Sequence, residues 1–170
     1  ANNAGERGNA YHKLMQKLHY ENIDGFADRF DFVKAEIALL KNVSYRELIN
    51  PEDIVKFLDT SLGKTFIKYR KNLKRENRFI MGISAREAKM GDSDETVLIQ
   101  GVIDAYIDTD DGLILADYKT DHVKDEAVLI DRYKTQLGLY KKSLEMSTGK
   151  QVRDVFIYSF TLGKEIKMHP

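Results

Sequence analysis

The 170-residue chain contains no cysteine. That excludes disulfides, thiolate-held zinc and Cys-ligated iron–sulfur clusters, and it fits a cytoplasmic protein. Net charge is also absent, because 27 Lys and Arg stand against 27 Asp and Glu. A chain so balanced is not expected to hold a polyanion tightly on its own. No apolar run is long enough to cross a bilayer, so no membrane partner is expected. No secretory leader is visible, and the start reads as an internal boundary of a longer protein. There is no Gly-x-x-x-x-Gly-Lys-Ser/Thr loop, which excludes ATP hydrolysis by that route. Internal repeats and low-complexity tracts are missing too.

What is present describes a globular domain. Hydrophobic residues make up 42% and charged residues 32%, ordinary for a folded protein. The length suits one domain with a real core. Charge is locally uneven: Lys64, Lys68, Arg70, Lys71, Lys74, Arg75 and Arg78 share their stretch with one acid, Glu76.

Residues 1–8 are small and polar and are expected to be partly disordered. Residues 9–72 read as a helical segment. Tyr11, Leu14, Met15 and Leu18 follow helical spacing, a second helix is expected over 24–40, and Ser44 and Asn50-Pro51 are helix-start signals. Residues 73–170 read as the core: a strand over 78–84, a polar loop over 87–95 and two strands within 101–120. A helix over 126–146 carries Ile130, Tyr133, Leu137, Tyr140 and Leu144 on its apolar face. A strand over 152–161 and a short last strand follow. A helix crossing over after the third strand predicts an α/β fold, with a mixed sheet flanked by helices.

Residues 101–120, GVIDAYIDTDDGLILADYKT, carry the chemistry. Two apolar strands meet at an Asp-Asp-Gly turn and are interrupted by Asp104, Asp117 and Lys119. Acids within such strands cost free energy unless compensated, and a divalent metal is a usual compensation for two converging carboxylates. A two-residue loop at Asp110-Asp111 sets Asp104 opposite Asp117. A loop at Asp111-Gly112, the better type I′ sequence, sets it opposite Lys119. Either register puts all three on one face, whereas a three-residue loop would not. A surface acid paired with Lys119 is the plainer alternative.

Gly101-x-x-Asp104, Asp117-x-Lys119 and Gln136-x-x-x-Tyr140 together resemble the PD-(D/E)XK nuclease superfamily, in its RecB-like branch. The wording of residues 8–18, 101–108, 116–121, 133–145 and 157–168 is similar to the C-terminal nuclease domain of the AddA/RexA family of ATP-dependent helicase/nuclease subunits. The resemblance covers nearly the whole chain in order. It implies a restriction-endonuclease-like core and a Mg²⁺-dependent deoxyribonuclease, with Mn²⁺ substituting. It implies metal ligation by His12, Asp104, Asp117 and the Tyr118 carbonyl, catalysis by Lys119, and Gln136 and Tyr140 near the metal or DNA. The setting implied is double-strand-break processing in recombinational repair. The partners implied are DNA, a helicase region of the same protein and an AddB/RexB-like partner. AddB carries an iron–sulfur cluster on cysteines, and this chain has none. Glu76 lies in Arg75-Glu76-Asn77-Arg78-Phe79, where the family pattern has proline at the position of Arg78. Two other readings are a degenerate nuclease fold used for docking and a different metal-dependent phosphoester hydrolase.

Overall fold

Apolar spacing and side-chain caps account for the helices of the computed structural model, which describes residues 3–170. Helix α1 (Asn3–Lys17) buries Ala10, Tyr11, Leu14 and Met15. It takes in residues 3–8, where partial disorder is expected, and residues 1 and 2 lie outside the described part. Arg7 ties this part of the helix to Tyr11 one turn on and to Asp53 far along the chain. The Arg7 guanidinium lies 4.6 Å over the Tyr11 ring and 3.7 Å from Asp53.

The helix expected over 24–40 is divided. A 3₁₀ turn covers Tyr20–Gly25, and α2 (Arg29–Ala38) starts only where Asp28 accepts the Asp31 N–H at 2.8 Å. Asn42, rather than Ser44, caps α3 (Val43–Leu48). Asn50 caps α4 (Pro51–Asp59), with Pro51 at its first position, and Thr60 caps α5 (Ser61–Lys68).

Five strands follow: β1 (Leu73–Ser84), β2 (Thr96–Thr109), β3 (Gly112–Lys119), β4 (Val152–Ser159) and β5 (Lys164–Met168). They form one sheet in sequence order, with β3 and β4 parallel and the other pairs antiparallel. Helix α6 (Glu126–Thr148) makes the parallel crossover, capped by Asp125 at its start and ended by Gly149 in the left-handed region. The expected mixed sheet with helices on both faces is what the chain forms.

The sheet separates two cores. Ala105, Ile107, Ile114, Ala116, Tyr118 and Tyr158 pack under the N-terminal helices. Ile103, Leu113, Leu115, Val155 and Ile157 pack under α6. On β3 the alternation is strict, odd residues toward α6 and even ones toward α1. On β2 it breaks, because Ile103 belongs to the α6 core and Ala105 to the other. The break is matched on β1: Arg75 donates to the Leu18 carbonyl at 2.6 Å on the α1 side, whereas Met81 and Ile83 share a cluster with Leu139 of α6. The pairs Arg75↔Ala105 and Asn77↔Ile103 flank this level, which contains Glu76, at φ 50°, and Asp104. Both strands therefore turn over together at the residue that the site needs.

Candidate active site

The β2–β3 pairing runs from Thr109↔Gly112 to Ala105↔Ala116, so the loop is Asp110-Asp111. The better type I′ sequence loses because β3 is paired on its other edge as well. Gly112 approaches β4 closely, with φ 124°, and a Cβ there would meet the Gln151 carbonyl oxygen at 2.8 Å. Gly112 thus serves the β3–β4 contact rather than the turn. Continued by one pair, this register sets Asp104 opposite Asp117. Instead of extending the ladder, Asp104 Oδ2 accepts the Tyr118 N–H at 2.8 Å.

The residues singled out in the sequence converge around these carboxylates. His12 reaches in from α1, its Nε2 3.2 Å from Asp104 Oδ2. Its Nδ1 lies 2.9 Å from the Gly8 carbonyl oxygen, to which it donates. Nε2 therefore faces a carboxylate oxygen either as a protonated imidazolium or as a lone pair sharing a cation. Lys119 Nζ is 3.0 Å from Asp117 Oδ2 and donates to Gln136 Oε1 of α6 at 3.3 Å. Tyr140, one turn beyond Gln136, packs its ring edgewise on Phe79, with centroids 5.5 Å apart. The pair closes over Gly101, where a Cβ would meet Phe79 at 2.9 Å and Tyr140 at 3.2 Å. That gives Gly101 of the motif a steric reason.

The electrostatics follow from burial and pairing. Asp117 is only 4% exposed. Burial first, and then the Asp104 charge, push its carboxyl up to about 7 against the pull of Lys119. Burial would also raise Asp104, but the hydrogen bond and charge of His12 outweigh it and hold that carboxyl below its usual value. Burial would lower His12, yet Asp104 carries it up to about 9. Burial and the two carboxylates push the Tyr140 hydroxyl up to about 12, so it stays a neutral donor.

The donor set suits a hard divalent cation. Asp117 Oδ2 is buried and lies beside the Lys119 ammonium without a hydrogen-bond partner. Two carboxylates and an imidazole are oxygen and nitrogen donors of the kind that bind such ions. Among the described residues, no three His, Asp or Glu side chains are gathered as a cage for a metal ion. The carboxylates instead turn to the two protein cations, His12 to Asp104 and Lys119 to Asp117.

A model of the PD-(D/E)XK nuclease superfamily matches residues 1–167. The chain belongs to that superfamily. Its relatives are named as the A subunit of an ATP-dependent helicase/nuclease. The one from Thermoanaerobacter sp. (strain X514) is 38% identical over 170 residues, covering 94% of this chain and 14% of that protein. The one from Clostridium botulinum (strain Loch Maree / Type A3) is 35% identical, over 96% of this chain and 13% of that protein. The one from Enterococcus faecalis (strain ATCC 700802 / V583) is 36% identical, over 99% of this chain and 14% of that protein. The chain thus spans about 14% of the length of the curated relatives it matches.

Within this nuclease fold, several neighbours of the motif residues escape sequence reading. Gly8 fixes the His12 tautomer through its carbonyl oxygen. Gln16, one turn after His12, donates to Glu76, which stands at the level of Asp104. Tyr133, read from spacing as a core position of α6, lies with its ring centroid 3.9 Å from Lys119 Nζ. Only the packing of α6 beside the end of β3 brings that contact about.

Proposed function

We propose that the chain is a Mg²⁺-dependent DNA exonuclease domain, with Mn²⁺ able to substitute. Its carrying observation is the pair of buried carboxylates, Asp104 and Asp117, flanked by an imidazole and an ammonium. His12, Asp104, Asp117 and the Tyr118 carbonyl would hold the ion. When bound, it supplies Lewis acidity at the scissile phosphate and makes water a nucleophile at neutral pH.

The chain's own groups do the rest. Asp117 and His12 Nε2 would each release a proton to solvent on becoming ligands, and Asp104 keeps its charge throughout. Lys119, placed between Asp117 and Gln136, orients the attacking water and counters charge gathering on the phosphoryl oxygens. Gln136 holds the ammonium by accepting from it. Tyr140, neutral and beside the carboxylates, would offer its O–H to a water on the ion or to a phosphate oxygen of the DNA.

The relatives' names support placing this domain in a bacterial ATP-dependent helicase/nuclease. We infer a role in double-strand-break processing for recombinational repair in the cytoplasm. Its helicase region and an AddB/RexB-like protein would be partners, and the domain itself carries no iron–sulfur cluster. Linear duplex DNA incubated with the chain should be degraded with Mg²⁺ or Mn²⁺ and left intact with a chelator or with Asp117→Ala. Cleavage that persists in that variant would reject the site. No cleavage by the parent under any divalent metal would favour a docking role.

A further inference from the structure

Lys119 rests its ammonium against three groups: Asp117 Oδ2 at 3.0 Å, Gln136 Oε1 at 3.3 Å and the face of Tyr133 at 3.9 Å. A lysine is a point charge on a flexible four-carbon stem, so its placement depends on what pins its end. Asp117 is a poor pin for catalysis, because a metal taken by that carboxylate draws its charge away from the ammonium. Gln136 offers one neutral acceptor. The Tyr133 ring is the partner that no metal competes for, and a cation within about 6 Å of a ring centroid is attracted by its quadrupole.

The ring is itself braced. Tyr133 Oη donates to Asp121 Oδ2 at 2.6 Å, and Arg132 Nη1 donates to the same oxygen at 2.7 Å. Asp121 stands two residues past Lys119, so the brace ties α6 to the strand end that carries the lysine. A phenol donating to a carboxylate also gains electron density in its ring, which strengthens that face toward a cation.

We propose that Tyr133, braced by Asp121 and Arg132, is a positioning residue that holds the Lys119 ammonium in place once Asp117 is engaged by a metal ion. This rests on Lys119 acting in the nuclease reaction, and the test separates the two claims. Position 133 is filled in the full 170-residue chain with Phe, with Phe carrying one, two or three ring fluorines, and with Leu. Two quantities are measured. One is Mg²⁺-dependent cleavage of linear duplex DNA. The other is the chemical shift of the Lys119 ε-methylene in ¹³C-lysine spectra, assigned by its loss in Lys119→Ala.

Tyr133→Phe loses the hydrogen bond to Asp121 but keeps the ring, so kcat should fall by about threefold, and successive fluorines should lower it stepwise by about a further ten- to thirtyfold, with KM unchanged. The Lys119 methylene should be shifted upfield by the ring in the parent and in Tyr133→Phe, and should lose that shift in Tyr133→Leu. A flat fluorine series with cleavage intact would overturn the proposal, because mere packing is indifferent to ring charge. If the parent cleaves no DNA, the nuclease reading fails on its own, and the spectra decide the placement of the lysine: a methylene shifted upfield by the Tyr133 ring supports it and an unshifted one overturns it.

Discussion

Lys119 and Asp117 are two residues apart and point the same way, yet their replacement should have different consequences. Lys119→Ala removes a cation beside two carboxylates, so Mn²⁺ binding should survive or strengthen. Cleavage should fall by about two to four orders of magnitude, the scale on which losing one transition-state donor acts. Asp117→Ala should lose metal binding and cleavage together. Calorimetric Mn²⁺ titration beside a cleavage assay checks the contrast, and parent-like cleavage by Lys119→Ala would reduce the lysine to a counter-ion. Both acids and the lysine are legible in the sequence, because polar residues within apolar strands stand out. Tyr133 is not, since an aromatic at helical spacing looks the same whether it fills a core or faces an ammonium.

At the level of elements, the hairpin shows why register can be narrowed but not chosen from sequence. A two-residue loop puts Asp104, Asp117 and Lys119 on one face where a three-residue loop would not, and the structure has the two-residue loop. The loop residue preference points to Asp111-Gly112, but β4 on the far edge of β3 decides for Asp110-Asp111. Gly112→Ala should therefore destabilise the fold by about 1–3 kcal/mol, from a φ of 124° and a clash with Gln151. Denaturant unfolding measures this, and a neutral result would mean that the β3–β4 contact is loose. The reversal of facing at Glu76 and Asp104 is not legible, because alternation in each strand looks continuous until two different helical layers cover its ends. The ordering of residues 3–8 is hidden for a similar reason: Arg7 finds Asp53 only after folding.

For the whole molecule, the buried ionisable groups make stability depend on pH in a stated direction. The folded His12 value, about 9, lies above its ordinary 6.5, so its stabilisation is complete below 6.5 and is lost as pH rises through about 9. Asp117 is raised from 3.8 to about 7, so its ionisation in the fold is destabilising as pH climbs across that interval. Asp104 has the opposite sign, and its contribution is lost only in acid. The metal-free protein should accordingly melt at lower temperature at about pH 9 than at about pH 5, and millimolar Mn²⁺ should restore stability above about pH 7. A flat pH profile by calorimetry would argue that the carboxylates are not coupled. With balanced charge, the chain should also bind DNA weakly and with a shallow salt slope. Tight sequence-specific binding at physiological salt would place recognition inside this domain. The most direct measurement is anomalous scattering from crystals soaked in Mn²⁺. A peak within coordination distance of both Asp104 and Asp117, and of His12, is the predicted result. No peak there, with manganese ordered elsewhere, would contradict a metal-dependent nuclease centre on this hairpin.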